Sequence, residues 1–173
     1  AEGFKKYGFA ISGFDAYVST TVIPAAGVSS SASFEMLFCT IANYFFNDEK
    51  ITLSDYAKIG KYAENVYWNK SSGVMDQLAC AVGGTVLFDF SNAKMPKYEK
   101  LPFSFEDYGY TLVIVNTGKS HADLIHEYSD VPKEMQMAAS ALHTDRLCHS
   151  SLSELIDRCT DIPNDRAILR AIH

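Results

Sequence analysis

The run PAAGVSSSA at residues 24–32 constrains this chain more than any other feature. Before it, FDAYVSTTVI (14–23) alternates Phe14, Ala16, Val18, Thr20 and Val22 on one face, the period-2 pattern of a half-buried strand. After it, SASFEMLFCTIANYFFN sets Phe34, Leu37, Phe38, Ile41 and Phe45 at spacings of three and four, the stripe of a helix packed on a sheet. The expected local order is therefore strand, small-residue loop, helix. Small residues let the backbone approach a ligand, successive N–H groups can converge on an anion, and the helix that follows adds the positive end of its dipole. Ser29, Ser30 and Ser31 offer hydroxyls for phosphate oxygens or a magnesium ion. The same serines would serve equally well as plain helix caps, and local sequence leaves both readings open.

Further along, the pattern alternates between helix and strand. Thr52 with Asp55 three residues on predicts a capped helix over 52–68, with Ile59, Ala63, Val66 and Tyr67 as its buried side. NKSSGVMDQLACAVGG reads as a turn, a short helix over about 74–82 and a Gly83-Gly84 stop. TVLFDF (85–90) and YTLVIVN (110–116) have the Val, Ile, Leu and Phe content of buried strands, with a loop rich in Lys, Pro and Glu between them. Past Asn116 the chain turns helical: DVPKEMQMAASALH puts Pro132 near a first turn, and SSLSELIDR and NDRAILRAIH have polar caps before their apolar residues. The mixture predicts an α+β fold, helices covering a mixed sheet, with the helical tail opening a second layer or domain.

Composition narrows the function classes. Of the 173 residues, 47% are apolar and 21% charged, which excludes the low-hydrophobicity, high-charge regime of disorder. A formal charge of −6 without a basic run offers nucleic acid no phosphate footprint. No apolar run approaches the roughly 20 residues that cross a bilayer, and no charged segment followed by an apolar one opens the chain. Cys39, Cys80, Cys148 and Cys159 show no C-x-x-C spacing, as expected of reduced thiols in a cytoplasm buried as small hydrophobes. The chain starts at Ala1 and stops in a helical pattern, so it is read as a piece of a longer protein.

Several residues have the chemistry of a site. Asp76 falls in the first turn of the short helix, where free N–H groups and the dipole favour a carboxylate; such an Asp is a candidate base for a hydroxyl nucleophile, or simply a cap. Glu64 is a solvated helix residue unless a metal is near. Gly118-Lys119-Ser120 imitates the end of a P-loop, but the first glycine position holds Val113, inside an apolar strand, so it is read as a turn. His121 and His126 are five apart and share no helical face, so with Asp123 and Glu127 they form a polar loop or helix start, not a metal site.

Three segments in order carry a family resemblance. GFDAYVSTTVIPAAGVSSSASFE, then YAENVYWNKSSGVMDQLACAVGG, then LVIVNTGKSHADLIHEYSDVPKEM resemble the GHMP small-molecule kinases, and within them the galactokinase family; NDRAILRAIH is similar to a later helix of that family. The resemblance implies the N-terminal kinase domain of ribosomal S5 domain 2-like type over residues 1–125, and the helical start of the C-terminal domain over 126–173. It implies that the loop Ala25, Ala26, Gly27, Val28, Ser29, Ser30 and Ser31 holds ATP phosphates and that Ser31 and Glu64 bind Mg2+. It also implies that Asp76 is the base facing the sugar C1 hydroxyl, while Gly73 and Tyr128 contact the sugar. Galactose and MgATP are then the partners, without nucleic acid or membrane. The family's N-terminal motif and its third motif would lie outside residues 1–173, so this piece alone is expected to be inactive and to self-associate through uncovered surfaces. Rival readings are a GHMP kinase for N-acetylgalactosamine or arabinose, a non-catalytic sugar or nucleotide sensor, and an S5-like RNA-binding module, the last opposed by the −6 charge.

Overall fold

The serine-rich run ends in helix α2 (Ser30–Phe46), and the sequence offers that helix two apolar faces. The structure, a computed structural model, describes residues 1–24, 26–70, 72–92, 96–115 and 125–173. In it α2 buries Ala32, Met36, Cys39, Ala42 and Asn43, again a three-and-four repeat, against α3 (Leu53–Tyr62) and α4 (Met75–Val82). The stripe expected to be buried lies one residue round: Phe34 is 57% and Phe45 67% exposed. Phe38 is half-buried, with the Phe14 ring 5.3 Å away. Residues 14–23 do not form the expected strand. A strand needs a hydrogen-bonding neighbour, and the sheet found among the described residues has only two strands, both elsewhere.

α3 begins as expected, with Thr52 Oγ1 accepting from the Asp55 N–H at 3.2 Å. Its end departs from expectation. Residues Ala63–Tyr67 form a π-helical turn, whose extra residue rotates the following side chains off the α-helical face. Ile59 is buried and Ala63 half-buried, but Val66 and Tyr67 point to solvent, and Glu64 goes inside instead. Ahead of α2, α1 (Glu2–Lys6) adds Phe4 to a core shared with Met36, Cys39, Ala42, Ile51, Tyr56 and Ile59. The buried Asn43 is satisfied there, donating to Ile51 O and Tyr56 Oη and accepting from the Ile51 N–H.

α4 stops at Gly83 and Gly84, both at positive φ (66° and 77°), the conformation that favours glycine. The expected strand over 85–90 is present as β1 (Val86–Asp89). Its partner is β2 (Lys97–Lys100), from the stretch expected to be a loop; the connection, residues 90–96, is too short for a parallel crossover. Residues 110–115 form no strand, with Leu112, Val113 and Val115 more than 70% exposed, for the same want of a backbone partner among the described residues. The architecture is α+β, but among the described residues the helices pack on one another, not across a broad mixed sheet.

The described residues group into two compact units, one built on Ala1–Phe88 with the segment that starts at Tyr98, the other on Asp89–Lys97 and the C-terminal helices. In the second unit α5 (Ile125–Ala141) starts earlier than the sequence implied, so Pro132 lies inside it instead of in its first turn. α6 (Leu152–Asp157) opens on a capping box between Ser151 and Glu154, and Asn164 Oδ1 accepts from the N–H groups of Arg166 and Ala167 at the head of α7 (Asp165–Ile172). Ala138, Leu155, Ile162 and Ala167 form the core of this unit. Glu134 on α5 is buried and ion-paired to both Arg166 and Arg170 of α7. Among the described residues no helix is long and apolar enough to cross a membrane. The cysteines are unpaired, but only Cys39 is buried; Cys159 is half-buried, Cys80 is exposed on the side of α4 away from Leu78 and Val82, and Cys148 is exposed after α5.

Candidate functional site

Two of the residues singled out in the first unit, Ser31 and Glu64, meet where α2 begins. Ser29 is the N-cap of α2 in a left-handed conformation (φ 55°), two residues after Gly27 at φ 74°. No serine side chain caps this helix, so the amides of its first turn are left for other acceptors. Ser31 Oγ turns away from the backbone and donates to Glu64 Oε1 at 3.1 Å. Ala26, Val28, Ser29 and Ser30 are half-buried and Gly27 is exposed; Ala25 lies outside the described residues.

Glu64 owes its position to the π-helical turn. Its carboxylate is nearly enclosed and takes a second hydrogen bond, from Lys70 Nζ at 2.6 Å. Burial alone would raise its pKa, but the bonds from Lys70, Ser72 and Ser31 and the Lys70 charge outweigh it and hold the carboxyl below the ordinary glutamate range. Next to it, Asn65 fastens Ser72: its Oδ1 accepts from Ser72 N and Oγ, and its Nδ2 donates to Ser72 O. The Ala63-Glu64-Asn65 triplet thus ties two neighbouring segments together, one through each polar side chain.

Beyond Ser72, a Cβ on Gly73 would meet nothing within 4 Å, so no neighbour among the described residues demands a glycine there. Asp76 is half-buried in the first turn of α4. Its carboxylate takes no hydrogen bond or ion pair from the described residues, which leaves it available to a ligand. Tyr128 lies on α5, in the second unit. His126 and Glu127 also lie on α5, whereas Gly118-Lys119-Ser120, His121 and Asp123 fall outside the described residues, as does Asn116.

A cleft of about 790 Å3 opens beside Ser30, Ser31, Glu64 and Lys70, with Trp68 and Phe34 among its apolar walls. Glu35, which sequence reasoning passed over, also lines it. Burial pushes the Glu35 carboxyl up to about 7; a hydrogen bond from Gln77 and the Lys70 charge pull it down, while the Glu64 and Asp76 carboxylates push it further up. The available signal was a lone acidic residue inside the apolar helix run 32–39. Among the described residues no group of three or more His, Cys, Asp or Glu side chains is placed to hold a metal by itself.

Residues 1–84 match the family model described as GHMP kinases N terminal domain. The chain is 28% identical over 170 residues to a galactokinase of Clostridium tetani and 33% identical over 171 residues to one of Limosilactobacillus fermentum, each match taking in 96% of this chain and 43% of that protein. A galactokinase of Streptococcus mutans is 32% identical over 166 residues, 93% of this chain and 42% of the relative. The chain therefore spans less than half the length of these curated relatives. No solved structure matches it.

Proposed function

We propose that this chain belongs to the GHMP kinases and is part of a galactokinase that moves the γ-phosphoryl group of MgATP to the C1 hydroxyl of galactose. The names of its relatives support the sugar. The observation that carries the chemistry is the Ser31 Oγ to Glu64 Oε1 hydrogen bond, which joins the head of the serine-loop helix to the buried carboxylate of the second motif.

In this reading the amides and hydroxyls from Ala25 to Ser31 hold the ATP phosphates, with the α2 dipole behind them. Magnesium prefers hard oxygen donors, usually one or two protein groups completed by phosphates and water. Ser31 Oγ and Glu64 Oε1 fit such a set, as an ion shared with the nucleotide and not a closed protein cage; that ion would neutralise phosphate charge. Asp76 accepts the C1 hydroxyl proton as the sugar oxygen bonds to the γ-phosphorus and the bond to the β–γ bridging oxygen breaks, releasing ADP. Gly73 and Tyr128 contact the sugar, Tyr128 from a C-terminal domain that begins near residue 126. The protein works in the cytoplasm. Residues 1–173 alone are inactive, and the exposed Phe34 and Phe45 face of α2 favours self-association.

The test is ADP release by the full-length parent with galactose, arabinose and N-acetylgalactosamine as acceptors, in wild type and Asp76→Ala. Turnover with galactose above the other two, abolished in Asp76→Ala while ATP affinity stays within a few-fold, is the expected result. Wild-type turnover in that variant would remove Asp76 from the chemistry.

A further inference from the structure

We propose that Glu35 is a positioning residue: its hydrogen bond with Gln77 ties the first turn of α4, and with it Asp76, to the helix that carries Ser31. The inference rests on the role given above to Asp76.

Gln77 is 1% exposed, among the most enclosed side chains of the protein. An amide in such a place needs a partner, since leaving it unpaired costs the desolvation of a polar group. Its partner is Glu35, with Gln77 Nε2 3.2 Å from Glu35 Oε2. A carboxyl group and a carboxamide can exchange donor and acceptor roles, so the link persists whether or not Glu35 is protonated.

Packing on α2 and α3 holds the buried side of α4, but among the described residues few polar contacts fix where it starts. Its N-cap is Val74, which makes no side-chain cap. The turn holding Asp76 is closed by the Leu78 N–H donating to Val74 O at 3.0 Å, with Leu78 buried beneath it. The Gln77 to Glu35 bond is the polar tether of this turn, and it ends on α2 four residues after Ser31.

Gly60 of α3 makes room for the tether. A Cβ at that position would stand 2.7 Å from Glu35 Oε2 and 2.8 Å from Gln77 Cγ. Three helices therefore meet at one carboxyl–amide pair, and a small displacement of that pair moves Asp76 relative to Ser31. A misplacement of about 1 Å can cost about a hundredfold in rate.

The experiment compares Glu35→Leu, Glu35→Gln and Gln77→Met in the full-length parent, reading kcat, KM and the hydrogen exchange of the Leu78 amide. Glu35→Leu is expected to lower kcat at least about tenfold with KM for ATP nearly unchanged and to speed Leu78 exchange. Glu35→Gln, which keeps a hydrogen-bonding partner, restores both. Gln77→Met cuts the tether from its other end at similar volume and gives the Glu35→Leu result even if Glu35→Leu itself folds poorly. Unchanged Leu78 exchange and kcat in Glu35→Leu or Gln77→Met would overturn the proposal. The exchange readout is independent of Asp76, so activity surviving Asp76→Ala would reject the reading of the base while leaving the tether to be judged on its own.

Discussion

Lys70 Nζ lies 2.6 Å from Glu64 Oε1, on the same carboxylate oxygen that accepts from Ser31 Oγ at 3.1 Å. A lysine ammonium and a divalent cation offer the same oxygen the same kind of attraction, so they compete for it. Removing the Glu64 carboxylate and removing the Lys70 ammonium therefore give opposite predictions for metal dependence.

In the full-length parent, Glu64→Gln should raise the magnesium concentration for half-maximal turnover far more than it raises KM for galactose. Lys70→Met should lower it, because the carboxylate loses its resident cation. Magnesium titrations of the two variants check this, and shifts of the same sign would remove the competition.

Glu35 supplies a pH dependence with a definite sign. Its carboxyl titrates at about 7 in the folded protein, mainly through burial, against an ordinary value of 4.5. The folded state thus binds the proton more tightly, and this contribution to stability, fully present below about pH 4.5, is lost as pH rises through about 7. Denaturation midpoints of wild type should fall across that window, and Glu35→Gln should flatten the fall. An equal slope in both would mean that another group titrates.

Legibility in the sequence followed the range of the interactions. The Thr52 and Ser151 caps were readable because donor and acceptor sit three residues apart in the chain. Residues 14–23 and 110–115 have strand composition, but a strand is a pairing, and the sequence does not say whether a partner lies alongside. The burial of Glu64 depends on a π-helical turn that no periodicity announces, and its partner Lys70 lies six residues further along the chain. The two faces of α2 were both apolar, so periodicity alone did not choose between Met36 and Phe34. Glu35 and Gln77 are 42 residues apart, and only the fold brings them together.

In the second unit, Glu134 should govern how α5 holds α7. Burial would raise its pKa, but hydrogen bonds and charge from Arg166 and Arg170 keep the carboxyl below its ordinary 4.5. Its contribution is present above pH 4.5 and lost as pH falls through the depressed value. Glu134→Gln removes the negative charge that both arginines face and should lower the melting temperature at pH 7, with the difference from wild type shrinking in acid. Melting curves by far-UV circular dichroism at pH 7 and pH 3 test this; a difference independent of pH would point to packing alone.

Gly60→Ala sets two effects of opposite sign against each other. Alanine is the better helix former by about 1 kcal/mol, and at an exposed helical site that gain would show. Here the new methyl group meets Glu35 Oε2 at 2.7 Å, Gln77 Cγ at 2.8 Å and Met36 Cε at 3.1 Å. The glutamate oxygen and the methionine methyl end flexible side chains and can move, but Gln77 Cγ lies midway along an enclosed side chain and can yield only if α4 shifts. Overpacking of this kind costs about 1–3 kcal/mol, enough to exceed the propensity gain. Gly60→Ala should therefore be destabilising by about 1 kcal/mol, read as a lower urea midpoint at unchanged slope. Gly13→Ala, where a Cβ would meet nothing within 4 Å, serves as the comparison and should not be destabilised in this way. A Gly60→Ala protein as stable as wild type would mean that α4 moves freely against α2, and the tether between Glu35 and Gln77 would then have no rigid seat.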